Sequence, residues 1–239
     1  MVLRPKKMAE KFKMSASTIR NYEANGLIPP ADRSANGYRI YTEQHEAYLA
    51  CIQAMAPAFG MEITTEVLHC LQRGELDKAL WIVKEREVSL YQEKARVEKL
   101  IKELEAYADG SQTHDLKQRF NINEVSIRTG VPKSAIRYWE KVSLITAERD
   151  PANDYRQYSE AHLFKIRLIQ VLQSFVYSED TVSLKKSIAA IDDHNIEHVM
   201  KLAEKILIYL NNTNRSQLKA LYYLYKLIRL TDESLTRDS

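Results

Sequence analysis

The chain has 239 residues, 45% of them hydrophobic and 28% charged, with a formal net charge of +3. This is globular material for one large or two small domains; it excludes a disordered tail, and the charge is too small to announce a polyanionic partner by itself. Six Gly and six Pro are too few for a turn-rich β architecture and favour helices.

The elements follow in order. Pro5 suits the first turn of a helix, where its missing N–H costs nothing. Met8, Ala9 and Phe12 give that helix an apolar face. A turn at 13–15 leads to a second helix over 16–25, with Ser15 as N-cap. Pro29-Pro30 and a polar stretch follow, then Asn36-Gly37, a hairpin signal because both positions accept φ > 0. In the Tyr38-Arg39-Ile40-Tyr41 strand, alternation puts Tyr38 and Ile40 on one face and Arg39 and Tyr41 on the other. Thr42 caps a third helix, and a fourth over 63–73 ends at Gly74.

A helix over 75–107, roughly 50 Å long, then repeats Val83, Leu90, Val97 and Leu104 every seven residues. Leu76, Leu80 and Ile101 fill its companion line, interrupted by Glu87 and Lys94. Such a stripe needs another helix along it. Residues 109–113 (Asp-Gly-Ser-Gln-Thr) read as a linker. Beyond it, Gly130-Val131-Pro132 is a turn between two further helices, Asn153-Asp154 marks a second hairpin, and Ser159 caps a helix over 160–175. Helices over 180–190, 196–210 and 217–230 complete the chain, the last two broken at 211–214 (Asn-Asn-Thr-Asn). Leu218, Leu221, Tyr222, Tyr225 and Ile228 give the final helix its apolar face.

The chain says the same thing twice. Shifted by 117 residues, 17–53 falls on 134–170 without a gap, and 8–53 shares 15 identities with its image, where unrelated sequence gives about three. The positive charge gathers in these repeats. Residues 1–42 hold eight Lys/Arg against three Asp/Glu, and 117–158 hold eight against five, which suits a polyanion.

Two helices and a wing, with the strings STIRNYEANGLIPPADRSANGYRIYTE and SAIRYWEKVSLITAERDPANDYRQYSE, resemble the DNA-binding domain of the MerR (mercury-resistance) family of bacterial transcription regulators. The family pattern is T-I-R-Y-Y-E on the recognition helix, then G-L-hydrophobic-P, then G-Y-R-x-Y at the wing. The first copy matches at Thr18, Ile19, Arg20, Tyr22, Glu23, Gly26, Leu27, Pro29, Gly37, Tyr38, Arg39 and Tyr41. The second matches at Ile136, Arg137, Tyr138, Glu140, Leu144, Tyr155, Arg156 and Tyr158, with Trp139 in an aromatic slot.

The resemblance implies a mainly α fold: two winged helix-turn-helix domains joined by long, coiled-coil-like helices. The boundaries expected are 1–57 for the first winged domain, 58–109 for its helical extension, 110–119 for the linker, 120–175 for the second winged domain and 176–239 for a C-terminal helical region. Ser15, Ser17 and Thr18 in the first copy, and Lys133 and Ser134 in the second, occupy the end of the recognition helix that reaches base edges. Arg20, Arg137, Arg39 and Arg156 are placed for phosphates. Tyr22, Tyr38 and Tyr155 offer hydroxyls to the backbone, and Asn21, Arg33, Tyr138 and Arg149 complete the candidate DNA-binding set. Tyr22, Trp139, Tyr41 and Tyr158 also read as core aromatics.

The implied function is a double-stranded-DNA-binding transcription regulator, reading an asymmetric or pseudo-palindromic operator with two unlike heads, with RNA polymerase as the further partner at a promoter. An architectural or recombination-accessory DNA binder is the alternative. The long helices suit either an intrachain pseudo-dimer or a homodimer with four heads.

Cysteines placed as in metal-sensing members do not occur, and His194 and His198 with Asp192, Asp193 and Glu197 lack a third convincing ligand. Tyr209, Tyr222, Tyr223 and Tyr225 read as a core stripe rather than a small-molecule pocket. No cofactor, metal or catalytic grouping is expected, and the chain does not read as an enzyme. Without a secretory or membrane segment, the expected location is the cytoplasm, associated with the nucleoid. Cys51 and Cys70, lacking metal spacing, are expected to be reduced and buried.

Overall fold

Helix boundaries follow from local side-chain chemistry. The structure, a computed structural model, describes residues 4–109, 118–173, 175, 179–190 and 196–231. The first copy comprises α1 (Pro5–Lys11), α2 (Ala16–Ala24), the hairpin β1 (Asp32–Arg33) and β2 (Arg39–Ile40), then α3 (Glu43–Phe59) and α4 (Met61–Gln72). Pro5 stands in the first turn of α1. The Ser15 hydroxyl caps α2 by accepting from the Thr18 N–H at 3.0 Å. After α5 (Leu76–Ala108) the second copy runs α6 (Ile122–Thr129), α7 (Lys133–Lys141), β3 (Glu148–Arg149), β4 (Arg156–Gln157), α8 (Glu160–Gln173) and α9 (Glu179–Ala189), and the chain continues in α10 (Ile196–Thr231).

The duplication extends to a detail of capping. Thr42 caps α3, and His45 Nδ1 accepts from the Thr42 N–H at 3.1 Å. Ser159 precedes α8, and His162 Nδ1 accepts from the Ser159 N–H at 3.0 Å. An imidazole thus fills the place of the usual capping-box Glu or Gln. It does so only with Nδ1 unprotonated, and burial holds the His45 ring below its ordinary range. Because the folded pKa is depressed, this stabilisation is complete above the unfolded value of about 6.5. It is lost as pH falls from there through the folded value. Thermal melts between pH 7.5 and 5 should therefore show a falling Tm, and His45→Glu should flatten part of that slope.

Three turns adopt left-handed backbone in both copies, and in each one copy has Gly where the other does not. Lys13 (φ 51) answers Gly130 (φ 71), Ser143 (φ 58) answers Gly26 (φ 69), and Asp154 (φ 59) answers Gly37 (φ 76). Left-handed backbone costs an L-residue about 1–2 kcal/mol, offset in part by the chain entropy of glycine. Ser143→Gly should accordingly raise the denaturation midpoint by an amount equivalent to about 0.5–1 kcal/mol. Gly26→Ala should do the reverse, since a Cβ there would also meet His69 Nε2 at 3.3 Å.

The first hairpin departs from the two-residue turn expected of Asn36-Gly37. Only Gly37 has positive φ, and with Arg33 opposite Arg39 the loop spans 34–38. The Gly37 N–H donates to Ser34 O and the Ser34 N–H to Tyr38 O, both at 2.8 Å. In the second wing Arg149 pairs with Arg156, so the loop is one residue longer. The connection before β3 is one shorter, which is why the gap-free alignment hides the shift.

The chain divides into two compact units, 1–89 with 212–239, and 90–211. In the first, Met8, Ile19, Leu27, Tyr41, Leu49 and Val67 form a core with Ala79 and Val83 of α5 and with Ala220, Leu224 and Leu227 of α10. In the second, Val125, Ile136, Trp139, Tyr158, Phe164 and Leu168 form a core with Val97, Leu100 and Leu104 of α5 and with Val199, Leu202, Ile206 and Leu210 of α10. Cys51 and Cys70 are free and buried, and burial pushes the Cys51 thiol up to about 12.

Three expectations about the long helices are corrected. α10 does not break at 211–214: Asn and Thr are weak helix formers but not breakers. The buried line Val199, Ala203, Ile206, Leu210 resumes at Gln217, Ala220, Leu224 and Leu227, in alternating steps of four and three once half-buried Thr213 is included. That is a coiled-coil seam. The apolar face assigned to the last helix lies largely outside it, with Leu218, Tyr222 and Tyr225 exposed and Ile228 buried. Tyr222 and Tyr225 therefore line neither a core nor an enclosed pocket. In α5, Leu80 is exposed and Ala79 takes the buried place.

The linker residues 110–113 and, of the proposed acidic and histidine group, Asp192, Asp193 and His194 lie outside the described residues. Among the described residues, three or more His, Cys, Asp or Glu are nowhere grouped as a metal site requires, and no helix is long and apolar enough to cross a membrane.

Candidate nucleic-acid interface

Each recognition helix buries one face and shows the other. On α2, Ile19 is buried and Tyr22 half-buried, while Ser15, Ser17, Arg20 and Asn21 are exposed and Thr18 is partly so. On α7, Ile136 and Trp139 are buried, while Lys133, Ser134, Arg137 and Tyr138 are exposed. Among the described residues neither Arg20 nor Arg137 has a hydrogen-bond or ion-pair partner. At the capped end of α2, Ser15 Oγ lies 2.7 Å from Ser17 Oγ and 2.8 Å from Thr18 Oγ1. Those hydroxyls already share hydrogen bonds with one another.

The wings are tied to these helices by one ion pair, present in both copies. Arg39 Nε donates to Glu23 Oε2 at 2.6 Å, and Arg156 Nε donates to Glu140 Oε2 at 2.9 Å. Glu23 also accepts the Ala31 N–H at 3.2 Å, and Glu140 accepts the Tyr158 hydroxyl at 3.2 Å. Burial, reinforced by that carboxylate, raises the Tyr158 phenol. The strand alternation explains the pair: Arg39 shares the inward face with buried Tyr41, whereas Tyr38 points out. With side-chain exposures of 28% for Arg39 and 41% for Arg156, both guanidinium groups still reach solvent. Each has its Nε committed to the recognition helix. Nothing local in the sequence signals this pairing, but a Glu and an Arg sixteen residues apart recur in both copies.

Arg33 and Arg149 occupy equivalent places and brace their own loops. Arg33 Nη1 donates to Gly37 O at 3.1 Å and Arg149 Nη1 to Asp154 O at 2.9 Å. Tyr38 and Tyr155 stand out at the wing tips, 68% and 73% exposed. Tyr41, Tyr158 and Trp139 are buried, as the core reading has it.

Between recognition helix and wing each copy has a cleft. In the first it holds about 140 Å³ and is lined by Ala16, Arg20, Gly37, Tyr38 and Arg39. In the second it holds about 360 Å³ and gathers Arg137, Lys141, Arg149 and Arg156 around Glu140. Lys141 was not singled out from sequence; its place one turn after Arg137 on the same helix face is the signal that marks it. Four cations against one carboxylate favour an extended anion with repeated charges.

Comparison with known proteins identifies the family. A family model for MerR family regulatory proteins matches residues 4–41, and a second, for MerR HTH family regulatory proteins, matches residues 120–183. The HTH-type transcriptional regulator CueR of Salmonella typhi is 33% identical over 103 residues, covering 43% of this chain and 71% of that protein. CueR of Escherichia coli O157:H7 is 35% identical over 97 residues, 39% of this chain and 66% of its own. The mercuric resistance operon regulatory protein of Bacillus cereus is 34% identical over 76 residues, 31% of this chain and 58% of its own.

Proposed function

The chain belongs to the MerR family of transcription regulators, and from that membership we propose that it binds double-stranded DNA through two unlike heads carried on one polypeptide. The observation that carries the reading is the duplicated arrangement of an exposed recognition-helix arginine, without a partner among the described residues, beside a wing pinned by Arg39–Glu23 or Arg156–Glu140. Arg20 and Arg137 contact phosphates. Arg39 and Arg156 hold the wings in register with the recognition helices and offer their remaining N–H groups to the same rail. Lys133 stands where the first copy has Ala16 and Tyr138 where it has Asn21, while Ser17 and Ser134 are the same, so the two half-sites differ in sequence.

One chain suffices for this task. The core of each unit already contains segments of both α5 and α10, so the apolar seams of the long helices are covered within the polypeptide. Light scattering of the DNA-free protein should give the monomer mass. A stable dimer would instead direct attention to the exposed stripe Leu218, Tyr222 and Tyr225.

The test of the function is selection of bound duplexes from a random library, followed by footprinting and salt titration. The reading expects two dissimilar half-sites within promoters and an affinity falling with log[salt] at about −0.9 per neutralised phosphate. Binding confined to recombination sites or dispersed loci would favour an architectural role. Absence of saturable, salt-sensitive binding would end the proposal.

A further inference from the structure

We propose that the second repeat carries a binding site for a small organic anion with an apolar body, in the cavity bounded by α5, α6 and α8. The cavity holds about 280 Å³, at the lower edge of the range of small-molecule pockets. Its floor is apolar: Val97, Leu100 and Leu168 line it and are themselves buried. Its rim is cationic, with Arg96, Lys99, Arg128 and Arg167 around one lining carboxylate, Glu103; Arg96 is paired with Glu93 at 2.8 Å, and Lys99 stands 3.9 Å from Glu103. Glu103 is already engaged by Arg167 at 2.5 Å. Arg128 has no carboxylate partner among the described residues, and its guanidinium lies 4.4 Å from the centre of the Phe120 ring.

The repeat supplies an internal control. Subtracting 117, the α6 and α8 residues Arg128, Thr129 and Arg167 correspond to Lys11, Phe12 and Ala50. In the first copy Phe12 is buried in the core, its carbonyl accepts from Gln53 Nε2 at 2.6 Å, and Lys11 is paired with Glu46. In the second copy Glu46 becomes Leu163, the phenyl ring becomes a threonine, and an alanine becomes an arginine. The lost phenyl ring opens space, and with Leu163 in the place of Glu46 the Arg128 charge has no carboxylate partner among the described residues; Arg167 adds a guanidinium, paired with Glu103, at the same place. A sequence that only needed to fold had the filled version available.

Guanidinium groups recognise planar carboxylates and phosphates by paired hydrogen bonds, while the floor favours an apolar body. A ligand so held touches Thr129, immediately before the Gly130 turn into α7, and so bears on the placing of the second recognition helix. This inference does not depend on which DNA the heads read.

The test uses the full chain and a fluorescent anion with an apolar body, 8-anilinonaphthalene-1-sulfonate, beside its uncharged analogue N-phenyl-1-naphthylamine. Saturable one-to-one binding of the sulfonate is expected, with the neutral compound much weaker. Thr129→Phe, which restores the ring of the first copy, should weaken the sulfonate at least tenfold, as should Arg128→Gln; Lys11→Gln should change nothing. Should Thr129→Phe melt early, Arg128→Gln at the rim decides alone. Unchanged affinity in these variants, or equal binding of the neutral compound, overturns the proposal. It is overturned equally if Arg128→Gln weakens duplex binding and leaves the sulfonate untouched, because the cavity would then be a phosphate contact.

Discussion

Arg137→Ala should weaken binding to every duplex alike, by roughly ten- to a hundredfold, and reduce the magnitude of the salt slope by about 0.9. The fold-change corresponds to losing one charge-assisted hydrogen bond worth about 1.5–3 kcal/mol, and the slope to one phosphate no longer neutralised. Arg137 is the informative choice because it is exposed on α7, lines the basic cleft and has no hydrogen-bond or ion-pair partner among the described residues to confuse the result. Arg156→Ala would also release the wing from Glu140, mixing a positioning effect with a lost contact. Fluorescence anisotropy across a salt series, on the selected duplex and on a scrambled one, separates the outcomes. Equal losses on both identify a phosphate contact; a loss on the selected duplex alone would make Arg137 a base reader; no loss on either would refute the docking.

Trp139→Ala should be the most damaging single substitution in the second head. Trp139 is 2% exposed and stands among the largest fully buried side chains, within the core that also holds Ile136, Tyr158 and Leu168. Truncation there costs about 3–5 kcal/mol in lost burial and cavity formation, a large share of the 5–15 kcal/mol that typically separates folded from unfolded domains. Chemical denaturation should show the loss directly, and amide exchange should place it in residues 120–173. Tyr22 occupies the equivalent place in the first copy but is only half-buried, so Tyr22→Ala should cost less. A Trp139→Ala protein as stable as the parent would contradict the packing described here.

Much of this fold could be read from local chemistry, and the exceptions share a cause. Ser15, Thr42 and Ser159 announce their helices because a cap acts within three residues, and the repeat displays each such signal twice. The continuity of α10 through 211–214 was not legible in that way. Four weak helix formers resemble a break until the buried residues on either side are seen to keep one register. Leu80 failed for a related reason: a heptad written from leucines overlooks Ala79, whose small side chain lets the helix approach its neighbours closely.

At the candidate interface the exposed residues of α2 and α7 could be inferred from helical period alone. The pairing of Arg39 with Glu23 and of Arg156 with Glu140 could not, because a wing must fold back before the charges meet. The cavity beside Thr129 is further still from the sequence, since the α5 residues that line it, 96–103, stand 26–33 positions before Thr129 and only tertiary packing brings them there.

Native mass spectrometry of the protein on its selected duplex tests the central claim most directly. The account predicts a single polypeptide on each duplex whose footprint spans two unlike half-sites. Two polypeptides per duplex, or a footprint that one isolated half-site reproduces in full, would contradict it.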